Sequence, residues 1–239
     1  MKHYKTEFAD IVLFEDENYV LVNKPPFLST LEDRNENVNL LRLARTYVSN
    51  AQVCHRLDKD TSGVLAIAKN PEAYRHMSIQ FEKRQVVKLY HAVADGIHQF
   101  NETEVDQPIL KQDDGIAKIS KREGRPAVTF FTTLKPFKNH TLIACRPVTG
   151  RMHQIRLHLS YLGAPITGDE VYGGKLFFLS QVKRKFNLKK ETEEQPLMKR
   201  MALHAFSLKF TDLSGNVKTV EAPYPKDFQV LLKQLELNG

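Results

Sequence analysis

Two periods of apolar and polar residues run along this chain, and the places where one gives way to the other mark its elements. Ile11 to Asn23 holds two short apolar runs, IVLF and YVLVN, split by the polar turn EDEN and closed by Lys24-Pro25-Pro26. That pattern predicts a hairpin opening a sheet. Residues 37–49, NVNLLRLARTYVS, set Leu40, Leu41 and Ala44 near one helical face, with Asn37 or Asn39 available to cap its start. VLAIA (64–68) predicts a buried strand, and residues 71–84 a helix with Pro71 early and the basic pair Lys83-Arg84 at its end. VVKLYHAVADG predicts a strand stopped by Asp95-Gly96, and AVTFFTTL and HTLIACRPV two more that turn around Lys138-Asn139. After Thr149-Gly150 the period changes. Met152, Ile155, Leu159 and Leu162 recur at helical spacing, with Gly163 at C′ and Pro165 beyond, as in an amphipathic helix with a defined stop. LHAFSLKF and KTVEAPYP predict a final strand pair around Ser214-Gly215. Strands and helices interspersed with hairpins predict an α+β fold, one domain over residues 1–239, around a mixed, mainly antiparallel sheet with flanking helices.

The stretch 175–200 breaks the regularity. It carries Lys183, Arg184, Lys185, Lys189, Lys190, Lys199 and Arg200 against Glu191, Glu193 and Glu194. Its composition favours a solvated insertion over a loop that contacts a polyanion.

Composition narrows the partners. The 239 residues are 41% hydrophobic, enough for a core, and 35 Lys plus Arg against 28 Asp plus Glu leave a net charge of +7. Such a balance favours nucleic acid among possible partners. The two cysteines, Cys54 and Cys145, form neither a C-x-x-C pair nor a disulfide framework, which fits a reducing, cytoplasmic setting. The N-terminal MKHYKTEFADIVLFEDENY lacks the apolar core of a signal peptide, and no stretch is apolar enough to span a membrane. A monomer is expected.

The densest polar cluster is HRLDKDTSG (55–63), set between Val53 and the strand VLAIA. A carboxylate on a tight turn beside a buried strand is rigidly mounted, as a catalytic group should be. Two plainer explanations compete. Asp58-Lys59-Asp60-Thr61-Ser62-Gly63 resembles the start of a calcium loop, but the twelfth position is Lys69, which opposes a metal. Alternatively, Asp58 and Asp60 close the turn through local backbone amides. A second cluster is RPVTGRMHQIRLHLSYLGAPITGDEVYGG (146–174). At ~100° per residue, Arg151 and Arg156 border the apolar stripe, where a guanidinium reaches a buried carboxylate while its stem packs. His153 and His158 lack the spacing of a zinc helix, and phosphate-binding, dinucleotide and serine-nucleophile motifs are absent.

VNKPPFLST, HRLDKDTSGVLAIAKN, KLYHAVADG, GRPAVTFFTTL, the 146–174 segment and LHAFSLKF together strongly resemble the RluA-type family of RNA pseudouridine synthases, in family order and over most of the chain. The resemblance implies a stand-alone catalytic domain without the S4-like domain that precedes it in many relatives. It implies uridine isomerisation in ribosomal or transfer RNA by cleavage of the C1′–N1 bond, rotation of the base and rejoining through C5. It also implies Asp58 as the essential catalytic residue, Tyr90 packed on the target uracil, Arg156 paired with Asp58, and no metal, nucleotide or redox cofactor. Arg56 and Arg151 are candidate RNA contacts. The competing class is a non-catalytic RNA-binding or ribosome-assembly factor with the same fold.

Overall fold

The computed structural model describes residues 7–32, 38–183, 186–188 and 193–238. In chain order the strands and helices are β1 (Val12–Glu15), β2 (Tyr19–Lys24), α1 (Leu40–Tyr47), β3 (Gln52–Val53), β4 (Ser62–Ala68), α2 (Pro71–Glu82), β5 (Val87–Asp95), β6 (Thr103–Asp106), β7 (Ile109–Lys111), β8 (Ala117–Ile119), β9 (Val128–Pro136), β10 (His140–Pro147), α3 (Gln154–Tyr161), β11 (Leu203–Thr211), β12 (Val217–Glu221) and α4 (Lys226–Asn238). The chain packs as two compact units, one of Met1–Leu89 with His204–Tyr224, the other of Tyr90–Leu203 with Pro225–Gly239.

In the first unit the expected opening hairpin forms: β1 and β2 pair antiparallel, and Asp16 Oδ1 accepts the Asn18 and Tyr19 N–H groups at 2.8 and 2.7 Å to close the turn. β2 and β3 pair antiparallel with β4, whose other neighbour β11 runs parallel and itself pairs antiparallel with β12. The sheet is therefore mixed and mainly antiparallel. β4 is buried at every position, which explains an apolar run without alternation. Tyr19, Leu21, Val64, Ala66, Leu208 and Phe210 form one core with Ala73 and Met77 of α2. Gly63 is required where β4 meets β11, because a Cβ there would lie 2.1 Å from the Ala205 carbonyl oxygen. The expected cap Asn39 forms, accepting from the Arg42 N–H at 2.9 Å, and Asn70 caps α2 in the same way, accepting from the Ala73 N–H at 2.9 Å. The alternative cap, Asn37, lies outside the described residues.

The second unit holds the antiparallel run β5-β10-β9-β6 and a separate β7-β8 hairpin. Its helix α3 ends in a Schellman motif: Gly163, at φ 72°, donates to Ser160 O at 3.0 Å and Ala164 donates to Leu159 O at 2.9 Å. Two expectations need correction here. Arg151 precedes α3 instead of bordering its stripe, and the helix is buried at every position from Gln154 to Leu159, so it is enclosed and not amphipathic. The C-terminal α4, which buries Phe228, Leu231 and Leu235, was not expected, nor were the short strands β6 to β8.

The charged stretch 175–200 is partly core. Phe177 and Met198 are buried, and Arg200, 3% exposed, donates through Nε and Nη2 to the Asp227 carboxylate at 2.7 and 3.0 Å. A fully solvated insertion is thus replaced by a loop anchored at both ends. Lys183 and Lys199 remain exposed, while Arg184, Lys185, Lys189, Lys190 and Glu191 lie outside the described residues. No helix among the described residues is long and apolar enough to cross a membrane.

Candidate functional site

The loop carrying Asp58 is built from the backbone outward, within the first unit. After β3 the chain stays on β4: Cys54 N–H donates to Ala66 O at 2.9 Å, and Ala66 N–H donates to His55 Nε2 at 3.1 Å. Burial, aided by the nearby Lys88 charge, pushes the His55 imidazole down to about 3, so the ring is neutral at pH 7 and Nε2 can accept. Burial also lowers the Lys88 ammonium to about 8. Next, Leu57 turns inward at 5% exposure, and its amide and carbonyl are both engaged by Thr30 Oγ1, at 3.2 and 2.8 Å.

On the far side of Asp58 the Lys59 carbonyl accepts from Lys24 Nζ at 3.0 Å. Lys24 is 0% exposed, and its ammonium also donates to Leu28 O at 2.8 Å and Pro25 O at 3.1 Å. Asp58 O itself accepts the Thr61 N–H at 3.1 Å. The residues before, at and after the half-buried Asp58 therefore each have a held carbonyl, and the carboxylate stands on a backbone with little freedom. Ser62, at the start of β4, extends this bracing: its Oγ lies 2.9 Å from His204 Nδ1, and His204 Nε2 lies 3.1 Å from Ala222 O. Since a carbonyl can only accept, Nε2 carries a proton.

Arg156 belongs to the second unit, where α3 holds it 9% exposed. Its guanidinium grips Asp169 with two parallel bonds, Nε to Oδ2 at 2.6 Å and Nη2 to Oδ1 at 2.7 Å. The planar fork matches both carboxylate oxygens, so position and tilt are set together. The Tyr172 ring lies under the guanidinium at 4.7 Å from its centroid. Tyr172 is tethered in turn, its hydroxyl 2.8 Å from His153 Nδ1 and accepting the Ala117 N–H at 3.0 Å. The segment TGDEVYGG can make this mount because its glycines take up the chain reversal: Gly168 sits at φ 81°, and a Cβ on Gly174 would lie 1.9 Å from Ile166 O.

The remainder of α3 is fixed by side chains as well. Gln154 Oε1 accepts from Thr149 Oγ1 at 2.7 Å and from the Arg151 N–H at 2.9 Å, while its Nε2 donates to Val128 O at 2.9 Å. His158 spans Thr129 Oγ1 and Gln107 O at 2.9 Å each. Burial lowers its pKa, which favours a neutral ring whose two nitrogens are both taken up by these bonds.

Asp58 and Arg56 thus sit in the first unit, and Tyr90, Arg151 and Arg156 in the second. Arg56 is exposed. Tyr90 is half-buried in β5 opposite Cys145 of β10. Arg151 donates from Nε to Pro126 O at 3.1 Å. The residues that sequence reasoning missed are Lys24, Thr30, Asp169 and Tyr172. Their segments had been quoted as motifs, but nothing local assigned them a partner. Among the described residues no group of three or more His, Cys, Asp or Glu is placed to hold a metal ion. Burial pushes the thiols of Cys54 and Cys145 up, so neither is a thiolate at neutral pH.

Comparison with known proteins gives a consistent result. Residues 18–161 match the model of a family described as RNA pseudouridylate synthase. The chain is 35% identical over 235 residues to ribosomal large subunit pseudouridine synthase C of Salmonella typhi, covering 95% of this chain and 70% of that protein. It is likewise 35% identical, over 92% of its own length and 96% of the other, to an uncharacterized RNA pseudouridine synthase of Zymomonas mobilis. Among solved structures, human RNA pseudouridylate synthase domain containing 4 superposes with a TM-score of 0.72 at 25% identity, covering 96% of this chain and 94% of that one.

Proposed function

We propose, from the premise that this chain belongs to the RNA pseudouridylate synthase family, that Asp58 is the carboxylate with which it isomerises uridine, and that its substrate is ribosomal RNA of the large subunit. The enzyme is an isomerase acting on uridine in RNA. What supports the assignment of Asp58 is its mount: backbone bonds brace the residues on both sides of it without using its side chain. A group so placed is preorganised for chemistry.

In this reading the reaction breaks C1′–N1 of the target, turns the uracil and joins C5 to C1′; the proton lost from C5 is balanced by one gained at N1. Attack on C1′ and removal of the 2′ proton both need Asp58 ionised. Tyr90 offers a flat face to the extruded base. Arg156, its fork fixed by Asp169, is the arginine of the site in this reading. Arg56 and Arg151 contact the RNA backbone, and the protein acts as a monomer without metal, nucleotide or redox cofactor.

Large-subunit ribosomal RNA carrying tritium at uridine C5 releases that tritium when incubated with the protein in EDTA. Release that disappears with chelator and returns with metal overturns the cofactor-free account, and binding without release favours the assembly-factor alternative. Tyr90 separates ring from hydroxyl. Tyr90→Phe keeps the stacking face and retains much of the turnover, whereas Tyr90→Leu loses roughly tenfold or more with the face gone. If the hydroxyl takes part in removing the C5 proton, Tyr90→Phe cleaves the glycosidic bond but stalls before tritium release. Near-normal turnover in both variants reduces Tyr90 to strand packing.

A further inference from the structure

Phe27 has a backbone conformation and an exposure that packing alone does not explain. Pro25-Pro26-Phe27-Leu28 forms a turn with proline second and a residue at φ 64° third, the pattern of a type II turn, in which the third position favours glycine or asparagine. A bulky side chain at positive φ is strained and persists only where its surroundings hold it. Phe27 is also 45% exposed, whereas the following Leu28, Ser29 and Thr30 are buried. A ring that gains only part of its burial in return for backbone strain calls for another partner.

The surroundings say which. Lys24 Nζ grips the first and last carbonyls of this turn, Pro25 O and Leu28 O, and with the same ammonium grips Lys59 O beside Asp58. Three residues beyond Phe27, Thr30 holds both backbone groups of Leu57, the residue before Asp58. The turn bearing the exposed ring and the turn bearing the carboxylate are therefore braced as one piece within the first unit. An exposed aromatic ring on a turn braced to the turn of a group that acts on a nucleobase, in a chain of net charge +7, fits base stacking.

We propose that Phe27 is an RNA-binding residue whose ring stacks on a nucleobase flanking the target uridine. The proposal rests on the uridine-isomerising reading of Asp58. It gives the Lys24 clamp a second purpose: holding a recognition residue and the reacting carboxylate in fixed register.

The test pairs affinity with stability. Binding of large-subunit ribosomal RNA is measured in an Asp58→Asn background, so that no turnover intervenes, and KM, kcat and Tm are measured in the otherwise native protein. Phe27→Leu weakens binding and raises KM by about tenfold, with a smaller effect on kcat. Phe27→Tyr restores affinity to within about threefold. Phe27→Gly binds as weakly as Phe27→Leu yet melts no lower, because glycine relieves the positive φ. A packing role predicts the reverse pattern, with Tm falling and affinity keeping its native value. Ultraviolet crosslinking to RNA containing 5-iodouridine places the adduct on position 27 in the native sequence. Leucine and glycine variants within twofold of native affinity, with no adduct on Phe27, overturn the proposal. The binding and crosslinking arms read Phe27 whether or not tritium is released; a native protein that binds this RNA but releases none overturns the reading of Asp58 instead.

Discussion

Asp58→Asn lowers tritium release by roughly ten-thousandfold or more, the scale on which loss of an essential catalytic group is felt. The carboxamide has nearly the same size but neither the charge nor the basicity that both routes demand. Fold and RNA binding survive, because bonds from Thr30, Lys24 and Thr61 hold the backbone on either side of Asp58 and the carboxamide keeps the size of the carboxylate. The measurements are tritium release, thermal melting and RNA retention on one preparation. An Asn variant with near-native turnover removes Asp58 from the chemistry.

Arg156→Ala loses turnover and lowers Tm by about 10 °C. The guanidinium and Asp169 are buried together, with side chains 10% and 1% exposed, and stripping one partner from such a pair typically costs ~3–5 kcal/mol, since the remaining charge stays out of water unmatched. At ~2–4 °C per kcal/mol for a chain of this size, that loss is readily seen in a melt. Asp169→Ala falls by a comparable amount for the same reason. The double variant Arg156→Ala/Asp169→Ala melts above the sum of the two losses, because no orphaned charge remains, and that recovery measures the coupling. Arg156→Lys folds but turns over poorly: an ammonium cannot supply two parallel bonds, nor lie flat on the Tyr172 ring. Strictly additive losses in the cycle mean that the geometry of the pair carries no energy, and that Asp169 does not hold Arg156 in place.

Much of the fold was legible because its signals act over a few residues. Asn39 caps a helix by reaching an amide three residues ahead, and the Gly163 stop of α3 needs only Ser160 and Leu159. The buried strand β4 showed as an unbroken apolar run. Edge pieces such as β7 and β8, each three residues long, hold too few positions for a period to register. The helix α4 carries a signal of the local kind, apolar residues recurring at helical spacing in KDFQVLLKQLELN. Arg200 read as one charge in a basic stretch, because its acceptor Asp227 lies 27 residues away.

The site divides the same way. HRLD, K-x-Y and H-Q-I-R stand in the sequence as contiguous residue types, so their alignment with a family needs no coordinates. Asp58, Tyr90 and Arg156 could therefore be named from the chain alone. What mounts two of them could not. Lys24 looked like the polar end of a hairpin, and only the folded chain turns it inward to meet carbonyls up to 35 residues off. Asp169 was one acid among many until the Gly168 and Gly174 reversals brought it onto Arg156. Sequence by itself determined most of the elements, the chemical class and the candidate reacting groups, since propensity, capping and motif identity are properties of neighbouring residues. Tertiary structure alone decided which buried charges meet and what holds Asp58 and Arg156 still, because a buried ion pair forms only where packing excludes water from both partners at once, and that depends on residues distant in the chain.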